Sequence, residues 1–246
     1  MFSTCSELEI KFRENPIKEL AIEHQLKIES LGNNNITVFY GNTVIIGSLN
    51  AIISKPNEER PFEGTLSLFV SSLLSKDFFN NDLFHISRAS SFLEKLLRSS
   101  KFLDLESLLI SPAASCWSLR LDLHVIQDDG NLLAGLSSAA LILLLNLKLP
   151  HVHLDDIGFP IIESFSSKNP MPLNMFFKPL AMEMQTSIEL SESLYIAFSS
   201  SNELLGLSQE GVLHAMPSQD LASHIEKAQK HLILLHDSIS RILRKR

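Results

Sequence analysis

The most regular alternation of apolar and polar positions runs from Trp117 to Ile126. Trp117, Leu119, Leu121, Leu123 and Val125 fall on one side, and Ser118, Arg120, Asp122 and His124 on the other. A period of two sends successive side chains to opposite faces of a strand, so this stretch predicts a strand with one face in a core. Asp128-Asp129-Gly130 supplies a turn and Asn131 stands where a helix N-cap is expected. The run from Leu132 to Leu149 is then almost wholly apolar and meets Pro150, which predicts a helix, ended by the proline, that is buried on nearly all sides. A membrane span needs roughly 20 predominantly apolar residues. Gly135, Ser137, Ser138, Asn146 and Lys148 interrupt this run, so it reads as a core helix.

Upstream, Ile36 to Tyr40 and Thr43 to Gly47 are rich in β-branched and aromatic residues and are joined by Gly41-Asn42. That dipeptide can supply the positive φ angles of a two-residue hairpin. Ser54 to Gly64 reads as a turn-rich connection, Thr65 to Val70 as a strand, and Ser87 to Ser99 as a helix whose Phe92, Leu93, Leu96 and Leu97 form an apolar stripe away from Arg88, Lys95 and Arg98. Pro16 to Ser30 has no clean period and predicts no element. His151 to Pro172 is irregular, with Gly158, Pro160 and Asn169-Pro170-Met171-Pro172, and the division into halves, 1–150 and 151–246, is placed at its start. Leu173 to Met184, Leu194 to Phe198 and Glu203 to Leu207 are strand candidates. Leu221, Ile225, Ala228, Leu232, Leu235, Ile239 and Ile242 follow at alternating spacings of 4 and 3, the stripe of a long amphipathic helix lying across a sheet, with Pro217 and Ser218 at its start.

Composition narrows this picture. With 246 residues, 45% hydrophobic and 20% charged, the chain can bury a real core. A net charge of −7 lacks the basic surplus of a free-standing nucleic-acid binder, so any nucleic-acid contact must be local. Cys5 and Cys116 are too few for a disulfide framework and suggest a reducing compartment.

Several motifs carry a family resemblance. Leu105 to Pro112, then Cys116 to Ile126, then Asp129-Gly130-Asn131-Leu132-Leu133 are similar to the central signature of the RNase PH-like ring subunits of the eukaryotic RNA exosome, in particular the non-catalytic ones. Tyr40 to Gly47, Arg60-Pro61-Phe62-Glu63-Gly64, Leu147 to Val152 and Met171 to Asn174 agree with it. The resemblance covers roughly residues 30 to 246, and the pattern of the C-terminal tail singles out one of the non-catalytic paralogues. The family's N-terminal Arg-Pro-Asp-Gly-Arg element has no counterpart here. The resemblance implies an α+β, RNase PH-like fold of two mixed sheet-and-helix halves packed together.

It also implies a role. Active relatives hold phosphate with a Thr or Ser and an Arg just after an Asp-Gly-Gly turn, because an oxyanion must be neutralised and aimed. Here those positions are Leu132 and Leu133, which can do neither. Active relatives also carry a pair of aspartates before a strand of the second half. The matching stretch, Ser187 to Tyr195, offers Glu189 and Glu192, with Ser187 and Ser193 at the two positions. No catalytic residue is therefore assigned, and neither a cofactor nor a metal is expected.

The implied partners are other RNase PH-like subunits in a hetero-hexameric ring, RNA-binding cap subunits, a separate catalytic ribonuclease and threaded single-stranded RNA, with no membrane, in the nucleus including the nucleolus and in the cytoplasm. Lys95 and Arg98, with Arg88 less strongly, are the candidate RNA-binding residues, by resemblance to a channel-lining helix; a solvated basic face is the plain alternative. Two rival readings are an active phosphate-dependent 3'-5' exoribonuclease and an α and β protein that shares only the fold. Other chemistry is thin. His151, His153, Asp155 and Asp156 read as a solvated loop, His224 and His231 are too far apart on their helix for a metal pair, Cys116 reads as a buried strand cysteine, and Arg241, Arg244, Lys245 and Arg246 read as a helix end.

Overall fold

A computed structural model describes residues 26–30, 34–72, 80–162, 171–187, 192–210 and 218–244. Strands β1 (Leu26–Ser30), β2 (Asn35–Tyr40), β3 (Thr43–Ser54), β4 (Thr65–Ser72), β5 (Leu109–Ser111) and β6 (Ser115–Gln127) form one sheet, ordered β1-β2-β3-β6-β4 with β5 also paired to β6. All neighbours are antiparallel except β4 and β6. The predicted hairpin is β2–β3, with Tyr40 opposite Thr43. Of its two turn residues only Gly41 takes a positive φ, +61°. Asn42 instead donates its side-chain amide to Asp129 Oδ2 at 2.8 Å.

The strand read from Trp117 to Ile126 is the centre of β6, and its apolar face, Leu119, Leu121, Leu123 and Val125, is fully buried. Helix α1 (Asn80–Ser99) starts earlier than the sequence suggests and buries the expected Phe92, Leu93, Leu96 and Leu97. After it come a short 3-10 turn, Glu106–Leu108, and then β5.

Helix α2 (Leu132–Asn146) is buried at every residue from Leu132 to Leu144. It packs on β2, β3 and β6 on one side and, on the other, on β11 (Leu180–Ser187). No solvent-facing side is left, which is why its sequence has no polar stripe. It ends at Asn146, short of Pro150, because Leu147 turns extended (ψ 129°) and Lys148–Leu149 pair as β7 with Met171–Pro172, β10. Among the described residues no helix is long and apolar enough to cross a membrane.

The stretch expected to be irregular contains a small hairpin, β8 (Val152–Leu154) and β9 (Pro160–Ile162), closed by Asp155, whose Oδ1 accepts the Ile157 and Phe159 N–H groups. This Asx-type turn is why Asp155 is there. β11, β12 (Glu192–Phe198) and β13 (Leu204–Glu210) form an antiparallel three-stranded sheet. The first of these begins at Leu180 rather than Leu173, since residues 173–179 run as a connection in which Asn174 and Phe176 bond back to Asp104 and Phe102.

Helix α3 (Ser218–Arg244) packs on β11 and β12 through Ala228, Leu232, Leu235 and Ile239, all fully or almost fully buried, as its stripe predicts. Its last turn holds Arg241 and Arg244, while Lys245, Arg246 and Pro217 lie outside the described residues, as does Cys5. Cys116 is buried and free. The architecture is α+β, its two larger sheets sharing one buried helix.

Candidate functional site

The N-terminal turn of α2 brings several polar side chains together beside the core. Its approach is built by two turns laced together. Thr43 Oγ1 donates to Gly130 O at 3.0 Å and accepts the Asp129 N–H at 3.0 Å, and Asp128 Oδ1 accepts the Gly130 N–H at 3.0 Å. Asn131 occupies the N-cap place, yet its side chain makes no cap bond. It sits at φ 56°, and its Oδ1 accepts the Glu183 N–H of β11 at 3.4 Å. The side chain is thus spent on joining the turn to the C-terminal sheet. Its carbonyl accepts the Ala134 and Gly135 N–H groups. One turn further, the buried Ser137 hydroxyl sits against the same strand, 2.9 Å from Ala181 O and accepting the Ala181 N–H at 3.1 Å.

Three ionisable side chains from three elements meet beside this turn. His85 of α1 donates from Nε2 to Glu183 Oε2 at 2.7 Å, and its Nδ1 lies 3.4 Å from Asp128 Oδ2. Glu183 is buried, and its other oxygen accepts the Ser193 hydroxyl of β12 at 2.6 Å. A buried carboxylate is costly unless it is paired and hydrogen-bonded, and here both oxygens are occupied. Asp128, and with it Glu183, holds the imidazole in its charged form, pushing its pKa up to about 10 against the opposing pull of burial. Nothing in the sequence marks this cluster: Glu183 is 98 residues from His85, and neither lies in a motif.

Leu132 and Leu133, at the positions the family resemblance gives to phosphate-holding groups, are fully buried and begin the apolar helix. A phosphate brought to this turn would meet two carboxylates against one imidazolium. Of the second-half positions, Ser193 is buried and committed to Glu183, Ser187 is in register with Glu192 in the β11–β12 ladder, and Glu189 lies outside the described residues.

The candidate RNA residues sit on α1 but not as one open basic face. Lys95 is exposed. Arg98 Nη2 is 2.8 Å from Glu94 Oε1, one turn away, and the Arg88 guanidinium lies over the Phe84 ring at 3.8 Å. Glu94, Leu97 and Arg98 also wall a depression of about 900 Å3 whose further charged lining is Glu59, Arg60, Glu63, Lys101, Asp104 and Glu106. Acids outnumber bases there, and Arg60 is itself 3.3 Å from Glu63. The three histidines of helix α3 bond to neighbouring groups of the chain: His231 Nε2 lies 2.7 Å from the Tyr40 hydroxyl, His236 donates to Lys178 O, and His224 bonds back to Asp220 O.

The family model described as "3' exoribonuclease family, domain 1" matches residues 18–150. Exosome complex component RRP45 of Saccharomyces cerevisiae is 29% identical over 154 residues, 60% of this chain and 50% of that protein. The Bos taurus protein of that name is 29% identical over 149 residues, 58% and 33% of the two chains, and RRP45B of Arabidopsis thaliana 26% over 190 residues, 68% and 43%. The chain thus spans half or less of the length of these relatives. The paralogue singled out by the tail, ribosomal RNA-processing protein 43, finds no support beside them. Among solved structures, the "archaeoglobus fulgidus exosome with RNA bound to the active site" superposes with a TM-score of 0.71 at 17% identity, over 94% of each chain. The "Archaeal exosome core" gives 0.68 at 18%, over 89% of this chain and 88% of that one. At such identities the likeness is one of fold.

Proposed function

The chain belongs to the 3' exoribonuclease family, whose first domain it carries, and from that premise we propose that it is a non-catalytic, RNase PH-like subunit of an exosome ring. In that role it helps form the channel through which single-stranded RNA is threaded, in support of 3'-5' RNA processing and degradation, ribosomal RNA included. The proposal extends to its partners: other RNase PH-like subunits in a hetero-hexameric ring, RNA-binding cap subunits and a separate catalytic ribonuclease, in nucleus and cytoplasm. The names of its relatives, exosome complex components, support the ring. A division of the sequence at 150/151 into two halves belongs to the same reading.

The observation that carries the non-catalytic part is the α2 N-terminus. Phosphorolysis needs an oxyanion site of hydrogen-bond donors and cations, and this turn is faced by fully buried Leu132 and Leu133 and by the acid pair Asp128 and Glu183. The test is direct. The purified chain, alone and with ring partners, is given single-stranded RNA with and without phosphate, and no nucleoside diphosphates should be released. Phosphate-dependent release that is lost on substituting Glu192 would establish the active-enzyme reading instead.

For RNA contact, Lys95 carries the proposal, with Arg98 and Arg88 as secondary candidates because each is already engaged. Replacing Lys95 and Arg98 together with Glu spares the buried stripe of α1, so assembly should survive. Each lost phosphate contact to a single strand lowers the salt slope by roughly 0.7. The doubly substituted ring should bind RNA more weakly and with less salt dependence, with sequence preference unchanged. An unaltered affinity and slope would make these residues plain surface charges.

A further inference from the structure

We propose that His85 is an electrostatic clamp: its imidazolium, threaded between Asp128 of the β6–α2 turn and Glu183 of β11, ties helix α1 to the C-terminal sheet, and loss of its proton loosens that tie. The case rests on geometry. Three segments distant in sequence converge on one ring, with 2.7 Å from Nε2 to Glu183 Oε2 and 3.4 Å from Nδ1 to Asp128 Oδ2. Both nitrogens face carboxylates, so the ring serves both only when both nitrogens carry protons. The network does not stop at the ring: Glu183 reaches on to the Ser193 hydroxyl of β12, and its own N–H bonds Asn131 Oδ1. The clamp therefore joins α1, the entry to α2, β11 and β12 through a single charge.

Among the described residues, the side chains that pair with His85 are Asp128 and Glu183 alone. On the β6–α2 turn, Asp129 is directed to the Asn42 amide. The adjoining turn of α2, Leu132 and Leu133, is apolar, and β12 contributes Ser193. On α1 itself, Arg88 stacks over Phe84. Helix α1 also packs on β12 and β13 of the same sheet, whereas β11 is covered by α2, so the clamp adds to that packing the link from α1 to β11. A neutral ring would keep at most one donor for two carboxylates and leave the buried Glu183 without its counter-charge, the costly arrangement.

The sign of the pH dependence follows. The folded-state pKa of His85 stands at about 10, above the 6.5 of the free side chain. Its stabilisation is complete below the lower value and is lost as pH rises through the window between them, the unfolded chain binding fewer protons throughout. Across that window this single group lowers the folding equilibrium constant by up to about tenfold per pH unit.

The experiment combines an NMR titration of the His85 ring in the full chain with urea unfolding at a series of pH values from neutrality to alkaline, for the natural chain and for His85→Gln and Glu183→Gln. Expected are a His85 ring that stays protonated well above neutrality, a stability that falls with pH, and a flattened pH dependence in His85→Gln. Glu183→Gln, read by the titration alone if it unfolds too readily, should move the His85 transition towards neutrality. A His85 transition near the free value, or the same slope in His85→Gln as in the natural chain, would overturn the clamp. Neither result bears on phosphorolysis or on RNA contact, which the assays above decide separately.

Discussion

Rebuilding the missing phosphate site by Leu132→Thr with Leu133→Arg should unfold the chain rather than activate it. Both leucines have no exposed surface, and they begin a helix that is buried on all sides. An arginine at 133 would bring a charge into a fully buried position, and Asp128 and Glu183 at this turn already serve His85. An uncompensated buried charge costs about 3 to 5 kcal/mol, comparable with the whole stability of a small domain, about 5 to 15 kcal/mol. Leu133→Met, which conserves volume, should cost less than about 1.5 kcal/mol. The check is urea unfolding of the variants beside a phosphorolysis assay. A doubly substituted chain that folds stably and cleaves RNA with phosphate would show that only these two side chains had been lacking, and that the acid pair beside them is no barrier.

The second large effect lies at Gly64. A Cβ built there would stand 2.5 Å from Leu108 Cβ and 2.7 Å from the Trp117 carbonyl oxygen. Neither neighbour can yield cheaply, because Leu108 is buried in the short turn before β5 and Trp117 is held in the centre of the sheet. The Gly64 N–H meanwhile donates to Leu105 O at 2.9 Å, fixing the backbone between them. Gly64→Ala should lose about 1 to 3 kcal/mol, the range for forcing an extra methyl into a packed site. Gly206→Ala, whose new methyl would meet Phe92 Cζ at 3.4 Å, is the control and should be close to neutral. Equal denaturation midpoints for the two variants would mean that the close approach at Gly64 is relieved by a shift of the connection. The glycine of the Arg-Pro-Phe-Glu-Gly motif thus has a packing reason to be there.

These two positions show how differently the sequence speaks at different places. Strand β6 is legible because one face is core and the other is not, so burial itself writes an alternation into residues 117–126. Helix α3 is legible for the same reason, with one side on the C-terminal sheet. Helix α2 is legible in kind but not in length. An apolar run carries no phase when every side is buried, and only the pairing of Lys148–Leu149 with Met171–Pro172, a contact between distant segments, ends the helix at Asn146. The motif residues Leu132 and Leu133 can be compared with relatives by position. The His85 cluster cannot, because it arises from the packing of α1 against a turn and a strand that neighbour it only in space. Asn131 misleads for the same cause: a local rule assigns its side chain to the helix it precedes, and a neighbouring strand claims it.

Helix α2 also governs how the chain can be dissected. It is followed by the second half, yet one flank lies on β2, β3 and β6 and the other on β11, with the Ser137 hydroxyl bonded to the backbone of Ala181. A fragment ending at Pro150 would keep the helix and lose its second cover, baring an apolar flank and leaving the Ser137 hydroxyl without Ala181. A fragment beginning at His151 would present β11 without the helix on which it rests. A cut at 150/151 would therefore fall beside a keystone that both sheets share, and neither fragment should be lifted out with its interior intact.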